Sequence, residues 1–389
     1  MRVLILNTLY YPYRVGGAEV SVQLLAEKLA EKGHEVHIAC TVPKDSKNAK
    51  TCSVINGVKV HYIPLVNFYW PFDEKHRGPS IKLAWHLLDT YNPFMMRQIR
   101  ALVKNIMPDV IHTNNLSGFS AGVLSCLGGN GTKLVHTARD YYFLHPNCTL
   151  MKGKQQLNGN SFSIKFWSYL RGRFLKNVDS FISISTFVKK LHCSHFDFLT
   201  LKSKVVFNPT GTLNLLKKNR EGKSIPKYGF IGRLSEEKGF EDFVKLAEHF
   251  AIIKSGAKFV AAGKGDNEYV EKLLTSYPDS NIDFLGFVDP SSFYESVDIL
   301  VSPTVWPEPF GRTIIEARSA GVLVIAYPVG GISEIFHILN ESEFLVENYK
   351  ELLELTLSLS FGELNIKEKT HQEFSIVTHC NMMECIYNA

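Results

Sequence analysis

Four groups of residues in the second half of the chain combine glycine with charged side chains, and each group follows a short apolar run. The groups are Gly232-Arg233 with Lys238, Gly263 with Gly265, Glu308 to Gly311 with Glu316, and Gly330-Gly331 with Glu334. Continuous apolar runs are typical of strands buried on both faces of a parallel sheet. Because ligands of open α/β sheets bind at the carboxyl ends of strands, the four groups are predicted to meet at one edge.

The cations and glycines of this set favour a diphosphate as ligand. Arg233 offers a planar fork of donors and Lys238 a point charge. Gly263 and Gly265 allow the backbone to approach a ligand ahead of a helix, whose N-terminus favours anions. Each feature taken alone has an ordinary alternative. The Gly263 loop can be a plain strand-to-helix turn, and the two cations can be a solvated charge pair.

The two carboxylates, Glu308 and Glu316, are eight residues apart. Pro307 and Pro309 place Glu308 in a loop, and Gly311 then opens a helix that carries Glu316 in its first turns. Carboxylates accept hydrogen bonds from sugar or ribose hydroxyls. The alternative for Glu316 is that it only interacts with the helix dipole.

The order of predicted elements indicates two α/β domains, and 389 residues exceed one ordinary domain. The first half begins with strand 3–6, a helix that ends near Gly33 and strand 35–40, which is a βαβ unit. Further strands are predicted at 110–111, 133–137, 180–184, 228–231, 258–262, 282–285, 299–302 and 322–326. We predict a doubly wound domain at 1–207, a second at 208–371, and a C-terminal helix at about 372–389 that packs back on the first domain. The polar segment 152–160 is predicted to be a loop.

The motifs together resemble those of glycosyltransferase family four, whose members are retaining enzymes of GT-B fold. The resemblance rests on Glu308-Pro-Phe-Gly-Arg-Thr-Ile-Ile-Glu316-Ala, on Gly330-Gly331-Ile-Ser-Glu334, and on Tyr11-Pro12 with Gly16-Gly17-Ala-Glu19. It covers about residues 1–335, and Phe374 to Tyr387 resembles the closing helix of that family. It implies two Rossmann-like domains that face each other across a cleft, the first binding the acceptor and the second a nucleotide sugar.

The resemblance also implies a role for each site residue. Arg233 and Lys238 would hold the donor diphosphate and stabilise the leaving group. Glu308 would bind the transferred sugar and Glu316 the ribose hydroxyls. The backbone of Phe310 and Gly311 would reach the sugar or phosphate. Gly16-Gly17 would approach the diphosphate from the first domain, with Gly263 and Gly265 on the phosphate side and Gly286-Phe287 near the base.

One position departs from the family pattern, which often has His-Asp after the middle strand of the first domain. Here Arg139 stands where the histidine would be, followed by Asp140. Arginine cannot act as a base but can bind an anion or a hydroxyl. His112, His136, Arg139 and Asp140 are therefore candidates for contacts to the sugar or acceptor. The alternative for His136 is a hydrogen-bonded core residue.

The predicted activity is metal-independent, retaining transfer of a hexose from a nucleoside-diphosphate sugar. We expect a glycan or lipid-linked acceptor of bacterial surface polysaccharide synthesis, no cofactor and no nucleic acid partner. No Asp-x-Asp metal motif is suitably placed. A sugar-nucleotide epimerase could share the architecture, but no clear acid/base pair is present; a non-catalytic sugar-nucleotide sensor is a further alternative. A dinucleotide oxidoreductase is disfavoured, since no G-x-G-x-x-G follows the first strand.

The charge distribution is uneven. Residues 1–205 hold 26 Lys and Arg against 12 Asp and Glu, whereas residues 206–389 hold 17 against 26. Within the first half, segment 67–107 interleaves aromatic and basic side chains, which suits an anionic membrane surface. These are Trp70, Phe72, Trp85 and Phe94 with Lys75, Arg77, Lys82, Arg97, Arg100 and Lys104. The alternative is that the aromatic side chains form a small helical core and the basic side chains form its solvent-exposed face.

The expected location is the cytoplasm, with peripheral attachment to the inner face of the cell membrane. Seven cysteines, an odd number, indicate reduced thiols rather than a disulfide framework. The sequence contains no run of 18 apolar residues that would predict a membrane-spanning helix.

Overall fold

A computed structural model describes residues 1–13, 16–73, 75–129, 131–153, 155–211, 225–359 and 371–389. The chain divides into two compact units. The first comprises Met1–Leu150, Leu157–Pro209 and Ser375–Ala389, and the second comprises Met151–Gln156 and Thr210–Phe374. The first unit thus contains nearly all of the expected first domain, 1–207, and the C-terminal helix. The difference is the short insertion Met151–Gln156, which belongs to the second unit. At this insertion a Cβ built on Gly153 would lie 3.6 Å from Oε2 of Glu236.

The first unit is built on a sheet of eight strands in the order β10-β9-β6-β5-β1-β2-β4-β3. Neighbouring strands are parallel except for the antiparallel pair β3 and β4. The strands up to residue 209 are β1 Arg2–Leu6, β2 Glu35–Val42, β3 Cys52–Ile55, β4 Val58–Pro64, β5 Val110–Thr113, β6 Lys133–Ala138, β7 Met151–Lys152, β8 Gln155–Gln156, β9 Ser180–Ser183 and β10 Ser203–Val205. The helices are α1 Gly17–Glu31, α2 Pro79–Leu88, α3 Pro93–Ile106, α4 Phe162–Gly172 and α5 Thr186–His195.

The core of the first unit lies between the sheet and its helices. Strands β1, β5 and β6 are buried almost throughout, as their apolar composition predicts. On one face of the sheet, α1 packs against the C-terminal helix Ile376–Asn388. Cys380, Met383, Ile386 and Tyr387 of that helix belong to the same apolar cluster as Val3 and Leu25. The end of the chain therefore forms part of the first unit's core.

The second unit is an all-parallel sheet of five strands in the order β13-β12-β11-β14-β15. The strands are β11 Lys227–Ile231, β12 Lys258–Ala262, β13 Ile282–Gly286, β14 Ile299–Ser302 and β15 Leu323–Ala326. The helices are α6 Phe240–Ile252, α7 Asn267–Ser276, α8 Pro290–Ser296, α9 Arg312–Ser319, α10 Ile332–Leu339, α11 Tyr349–Ser358 and, in the first unit, α12 Ile376–Asn388. A phenylalanine-rich core that includes Phe230, Phe240 and Phe243 fills the space between the sheet and α6.

Two local expectations were wrong. The segment predicted as a loop at 152–160 contains a short antiparallel hairpin of β7 and β8. Trp85, expected among the surface aromatic residues, is buried, and its Nε1 donates to the carbonyl of Tyr69 at 3.0 Å. No helix in the described ranges combines 18 residues with the apolar composition that a membrane span requires.

Candidate functional site

The strand order of the second unit creates one natural binding position. The chain builds β11, β12 and β13 outward in one direction and then returns to place β14 on the other side of β11. In doubly wound sheets, ligands bind at the carboxyl ends of the strands where the order reverses. Arg233 and Lys238 follow β11, and Glu308 and Glu316 follow β14. The four candidate side chains therefore flank the switch point, as their positions after the apolar runs predict.

Backbone hydrogen bonds fasten the two loops at this point to each other. After β11 the chain forms a 3-10 turn over Glu236–Lys238. The carbonyl of Glu237 accepts hydrogen bonds from the N–H groups of Val305 and Trp306, at 3.1 and 3.0 Å, and from Oγ1 of Thr304 at 2.9 Å. The loop after β14 thus holds the turn that carries Lys238. The same loop carries Glu308, so these hydrogen bonds bring the two charged side chains together.

Lys238 is held between a carboxylate and an aromatic ring. Its Nζ donates to Oε2 of Glu308 and lies 4.3 Å from the centroid of the Trp306 ring. Both charged side chains are about a quarter exposed or less, at 26% for Lys238 and 19% for Glu308. A partly buried cation over an aromatic face is attracted to the ring as well as to the carboxylate. The arrangement orients one positive charge at the switch point.

Glu316 is held by a separate set of contacts. Its side chain is buried on α9, where Arg312 Nε lies 2.7 Å from Oε1 and Tyr294 donates to Oε2 at 3.1 Å. Burial, with the neighbouring Glu316 carboxylate, raises the pKa of Tyr294 well above its ordinary value, so the hydroxyl keeps its proton and acts as a donor. Arg312 stands four residues before Glu316, one helical turn away. The carboxylate therefore has a fixed orientation.

The glycines after β12 have a packing reason to be glycine. A Cβ on Gly263 would lie 1.8 Å from the carbonyl oxygen of Gly232, and one on Gly265 would lie 2.1 Å from that of Leu234. The loops after β11 and β12 continue the parallel pairing, with Leu234 and Gly265 forming an isolated bridge. Close approach of neighbouring loops explains both positions, in agreement with the alternative of a structural turn. A phosphate contact at these glycines stays a prediction.

The other candidates of the second unit differ in exposure. Arg233 extends into solvent, with Nη1 3.5 Å from Oε1 of Glu237. Phe287 is 79% exposed, and Nζ of Lys264 lies 5.4 Å from its ring centroid, next to Gly286. The Phe310 side chain is buried, and Gly311 forms the N-cap of α9. The edge thus presents the exposed ring of Phe287 and the exposed cations Arg233 and Lys264, in addition to the Lys238–Glu308 pair.

Two first-unit candidates, His112 and His136, lie in the core, which corrects the expectation that they face a ligand. His112 on β5 contacts the Tyr387 hydroxyl at 2.8 Å and Oγ1 of Thr137 at 2.7 Å, so both ring nitrogens have partners. Nδ1 of His136 lies 2.9 Å from Oγ1 of Thr113. Burial lowers the pKa of His136 to about 3 and that of His112 well below its usual range. Both rings are therefore neutral, structural groups.

Arg139 and Asp140 lie at the carboxyl end of β6. The Arg139 side chain is buried; its Nε donates to Asn114 at 2.8 Å and its Nη1 donates to Asn208. The Asp140 carboxylate accepts from the N–H of Tyr142 at 2.9 Å, and burial raises its pKa to about 6. Arg139 thus connects the segment that follows β5 with the segment that follows β10. Asp140, the more exposed of the two, is the better candidate for a ligand contact.

The Gly16-Gly17 segment begins α1. The N–H of Gly16 donates to Oε2 of Glu19 at 2.9 Å, and Gly17 is the first residue of the helix. The predicted contact of this backbone with a diphosphate stays a prediction, since Glu19 accepts the Gly16 donor in this structure.

Comparison with known families decides the class of the protein. The sequence profile of Glycosyltransferase Family 4 matches residues 15–211, and that of the Glycosyl transferases group 1 matches residues 213–360. The chain belongs to the family 4, group 1 glycosyltransferases. A relative, an uncharacterized 42.6 kDa protein in the cps region of Klebsiella pneumoniae, is 39% identical over 345 residues, which are 89% of this chain and 90% of the relative. An uncharacterized glycosyltransferase of Methanocaldococcus jannaschii is 27% identical over 86% of this chain and 82% of its own length.

Solved structures give this glycosyltransferase the GT-B fold. The Anabaena protein HepE, in complex with UDP and glucose, matches with a TM-score of 0.66 and 19% identity over the whole of both chains. The catalytic domain of starch synthase IV from Arabidopsis thaliana, bound to ADP and acarbose, matches with a TM-score of 0.69 and 16% identity, covering 100% of this chain and 98% of its own. The predicted fold, two α/β domains with parallel sheets, is confirmed.

Three residues that the sequence reasoning did not select contact the candidate site residues. Trp306 lies under Lys238, and Arg312 and Tyr294 hold Glu316. The spacing of Arg312, four residues before Glu316 on one helix, is a signal that the sequence contains. Tyr294 lies on a different helix, 22 residues away, and no local pattern points to it.

Proposed function

We propose that this glycosyltransferase is a retaining, metal-independent hexosyltransferase that uses a nucleoside-diphosphate sugar. The observation that carries the proposal is the Lys238–Glu308 pair at the switch point, beside a separately fixed Glu316. A cation that is positioned before the reaction stabilises charge that develops on a leaving diphosphate without further reorganisation. The carboxylates suit hydroxyl groups of the sugar and the ribose. One site thus has parts for all three portions of a nucleotide sugar.

In the proposed reaction the bond between the anomeric carbon and the diphosphate oxygen breaks. The acceptor hydroxyl forms its new bond on the face that the leaving group vacates, and its proton passes to the leaving phosphate. Lys238 and Arg233 balance the growing negative charge, and Glu308 holds the sugar. Metal independence is part of the proposal, because these two cations supply the charge stabilisation that a metal ion supplies in other enzymes.

Two comparisons support the substrate class. HepE has been solved with UDP-glucose and with UDP and glucose, which favours a UDP-hexose as the first donor to test. The relative from the cps region of Klebsiella pneumoniae supports a role in polysaccharide synthesis, with a glycan or lipid-linked intermediate as acceptor. The alternative of a sugar-nucleotide epimerase finds no support in the family matches, which are to glycosyltransferases.

The donor and the stereochemistry are tested together. We expect one nucleotide sugar of a panel to raise the melting temperature, since a ligand at a hundred times its Kd stabilises by about 2.7 kcal/mol. With acceptor present, that donor should yield free nucleotide and a product that keeps the donor's anomeric configuration, measured by NMR, in buffer with EDTA. Inversion, or activity that needs added manganese or magnesium, would refute the mechanism. Epimerised donor without any acceptor would favour the epimerase.

The two carboxylates are expected to act on different parts of the donor. Glu316→Gln should weaken binding of both UDP and the UDP-sugar by roughly 10-fold to 100-fold, the value of a hydrogen bond to a charged group. Glu308→Gln should weaken only the UDP-sugar, because it removes the sugar contact, whereas the Trp306 ring still orients Lys238 for the diphosphate. Calorimetry with both ligands measures this, and Glu268→Gln on the exposed side of α7 is the matched control. Equal losses of affinity for UDP and for the UDP-sugar in both variants would contradict the assignment of Glu316 to the ribose and Glu308 to the sugar.

A further inference from the structure

Helix α4 exposes a row of aromatic side chains to solvent. Phe162 is 83% exposed, Tyr169 74% and Phe166 40%, and the opposite face of the helix is buried through Ile164 and Trp167. Positions 162, 166 and 169 fall on one side of an α-helix. Phe162 and Phe166 stack on each other with ring centroids 6.1 Å apart. The helix therefore carries apolar surface on both sides, and only one of them is covered by the first unit.

Exposed cations accompany this row. Lys165, Arg173 and Lys176 are exposed, and none of them forms an ion pair with a carboxylate in the described part of the chain. Lys165, Tyr169, Arg173, Lys176 and Phe198 line a hollow of about 730 Å³ beside the helix. Segment 157–178, which includes α4, contains four Lys and Arg, of which only Arg171 is buried, and no Asp or Glu. The face is thus basic as well as aromatic.

The neighbouring helix α2 has the same character. His86 of α2 packs against Trp167 of α4 with ring centroids 6.2 Å apart, and Leu83 and Leu87 on either side of His86 are exposed. The one carboxylate in segment 75–108 is Asp89, which is fully buried and lies 3.5 Å from Nη2 of the buried Arg171. Neither member of that pair contributes to the surface. Basic and apolar character therefore extends over two adjacent helices.

We propose that this face, formed by α4 and the exposed side of α2, docks on an anionic lipid bilayer. Aromatic rings lie favourably at the level of lipid headgroups, and lysine and arginine beside them bind anionic lipid. An acidic protein would satisfy the cations. The exposed rings along about 10 Å of helix, from Phe162 to Tyr169, also need an apolar partner. A bilayer supplies both. The interface is centred on α4, whereas Trp85 of the aromatic stretch expected from the sequence is buried.

The position of α4 gives the contact a direction. His145, which follows the carboxyl end of β6, has its Nε2 3.0 Å from Oγ of Ser163 in the first turn of α4. Phe162 therefore lies toward the sheet edge that carries Asp140. Delivery of a lipid-linked acceptor to that edge rests on the proposed function, whereas the lipid contact itself does not.

Flotation with vesicles tests the lipid contact without any assay of activity. The whole protein is mixed with phosphatidylcholine vesicles, with or without about a third of phosphatidylglycerol, at low and high salt. We expect binding only to the anionic vesicles and loss of binding at high salt. The triple variant F162S/F166S/Y169S and the triple variant K165E/R173E/K176E should each lower the partition coefficient by at least about tenfold.

Matched controls separate this face from general effects. K44E/K47E/K272E changes the net charge equally but lies elsewhere, and V54S/V377S removes exposed apolar groups from β3 and α12; both should bind like the parent. Strand β3 is at the sheet edge opposite β9 and β10, away from α4. Both triple variants are substituted at exposed positions. An unchanged melting temperature would show that they are folded. Absence of binding to anionic vesicles at low salt, or equal binding by parent and both triple variants, would overturn the proposal.

Discussion

Replacing Lys238 by alanine is expected to lower kcat/KM by about 10²-fold to 10³-fold, or about 3 kcal/mol, while the protein stays folded. The lysine is oriented by Glu308 and by the Trp306 ring before any ligand binds. In the proposed mechanism the positive charge of Lys238 stabilises the leaving diphosphate most in the transition state, when the negative charge developing on the diphosphate is greatest. Steady-state kinetics with saturating acceptor measure the loss, which should appear in kcat as well as in kcat/KM.

Lys245→Ala is the control for this variant. Lys245 is another partly buried lysine of the second unit, and its Nζ pairs with Glu241 at 2.9 Å on α6. Its removal costs a surface ion pair, worth at most about 1 kcal/mol of stability, and should leave kcat/KM unchanged. Arg233→Ala should reduce turnover less than Lys238→Ala, because Arg233 is largely exposed and has to be ordered by the ligand. Near-normal turnover of both Lys238→Ala and Arg233→Ala would refute the assignment of the leaving-group site.

Replacing Gly330 by alanine is expected to destabilise the second unit by about 3 kcal/mol or more and to abolish most of the transfer activity. Gly330 has a φ of 62°, and a Cβ there would lie 2.2 Å from the carbonyl oxygen and 2.6 Å from the nitrogen of Glu308. The carbonyl of Glu308 also accepts from Gly331 N–H at 2.8 Å. The added methyl group must therefore displace the backbone that presents the Glu308 carboxylate.

Gly286→Ala separates the two causes of this effect. Gly286 has a φ of 66°, close to that of Gly330, but no atom lies within 4 Å of the position of its Cβ. Only the backbone strain of about 1–2 kcal/mol should remain in that variant. Thermal and urea unfolding compare the two. Equal destabilisation would mean that backbone conformation, rather than contact with Glu308, makes Gly330 necessary.

The aromatic and basic helices of the first unit illustrate a limit of reading sequence patterns. The sequence shows directly that basic residues outnumber acidic residues in the first half, 26 to 12, because composition is a property of the chain. It does not tell which rings are buried. Trp85 lies inside, where its Nε1 finds a backbone carbonyl, and Phe162 lies outside. Burial depends on which face of a helix meets its neighbours, and residues distant in sequence decide that.

The histidines of the first unit give the same lesson for chemistry. His112 and His136 lie on predicted strands, and a histidine at a strand end is a reasonable ligand contact. Their partners Tyr387 and Thr113 come from the C-terminal helix and from a neighbouring strand. These long-range contacts, which no local spacing reveals, place both rings in the core, and burial lowers the pKa of each so that the ring is neutral.

The alternation of strands and helices, the two α/β halves and the residues at the strand ends can all be predicted from the sequence. These follow from apolar periodicity and from the positions of glycine and charge, which are local properties of the chain. Which of these residues contact one another depends on the packing of the folded chain. Strand order places β11 beside β14, so that Lys238 meets Glu308 across 70 residues of sequence. It also brings Tyr294 to Glu316, because packing of non-adjacent elements, rather than spacing along the chain, sets which polar groups share a buried site.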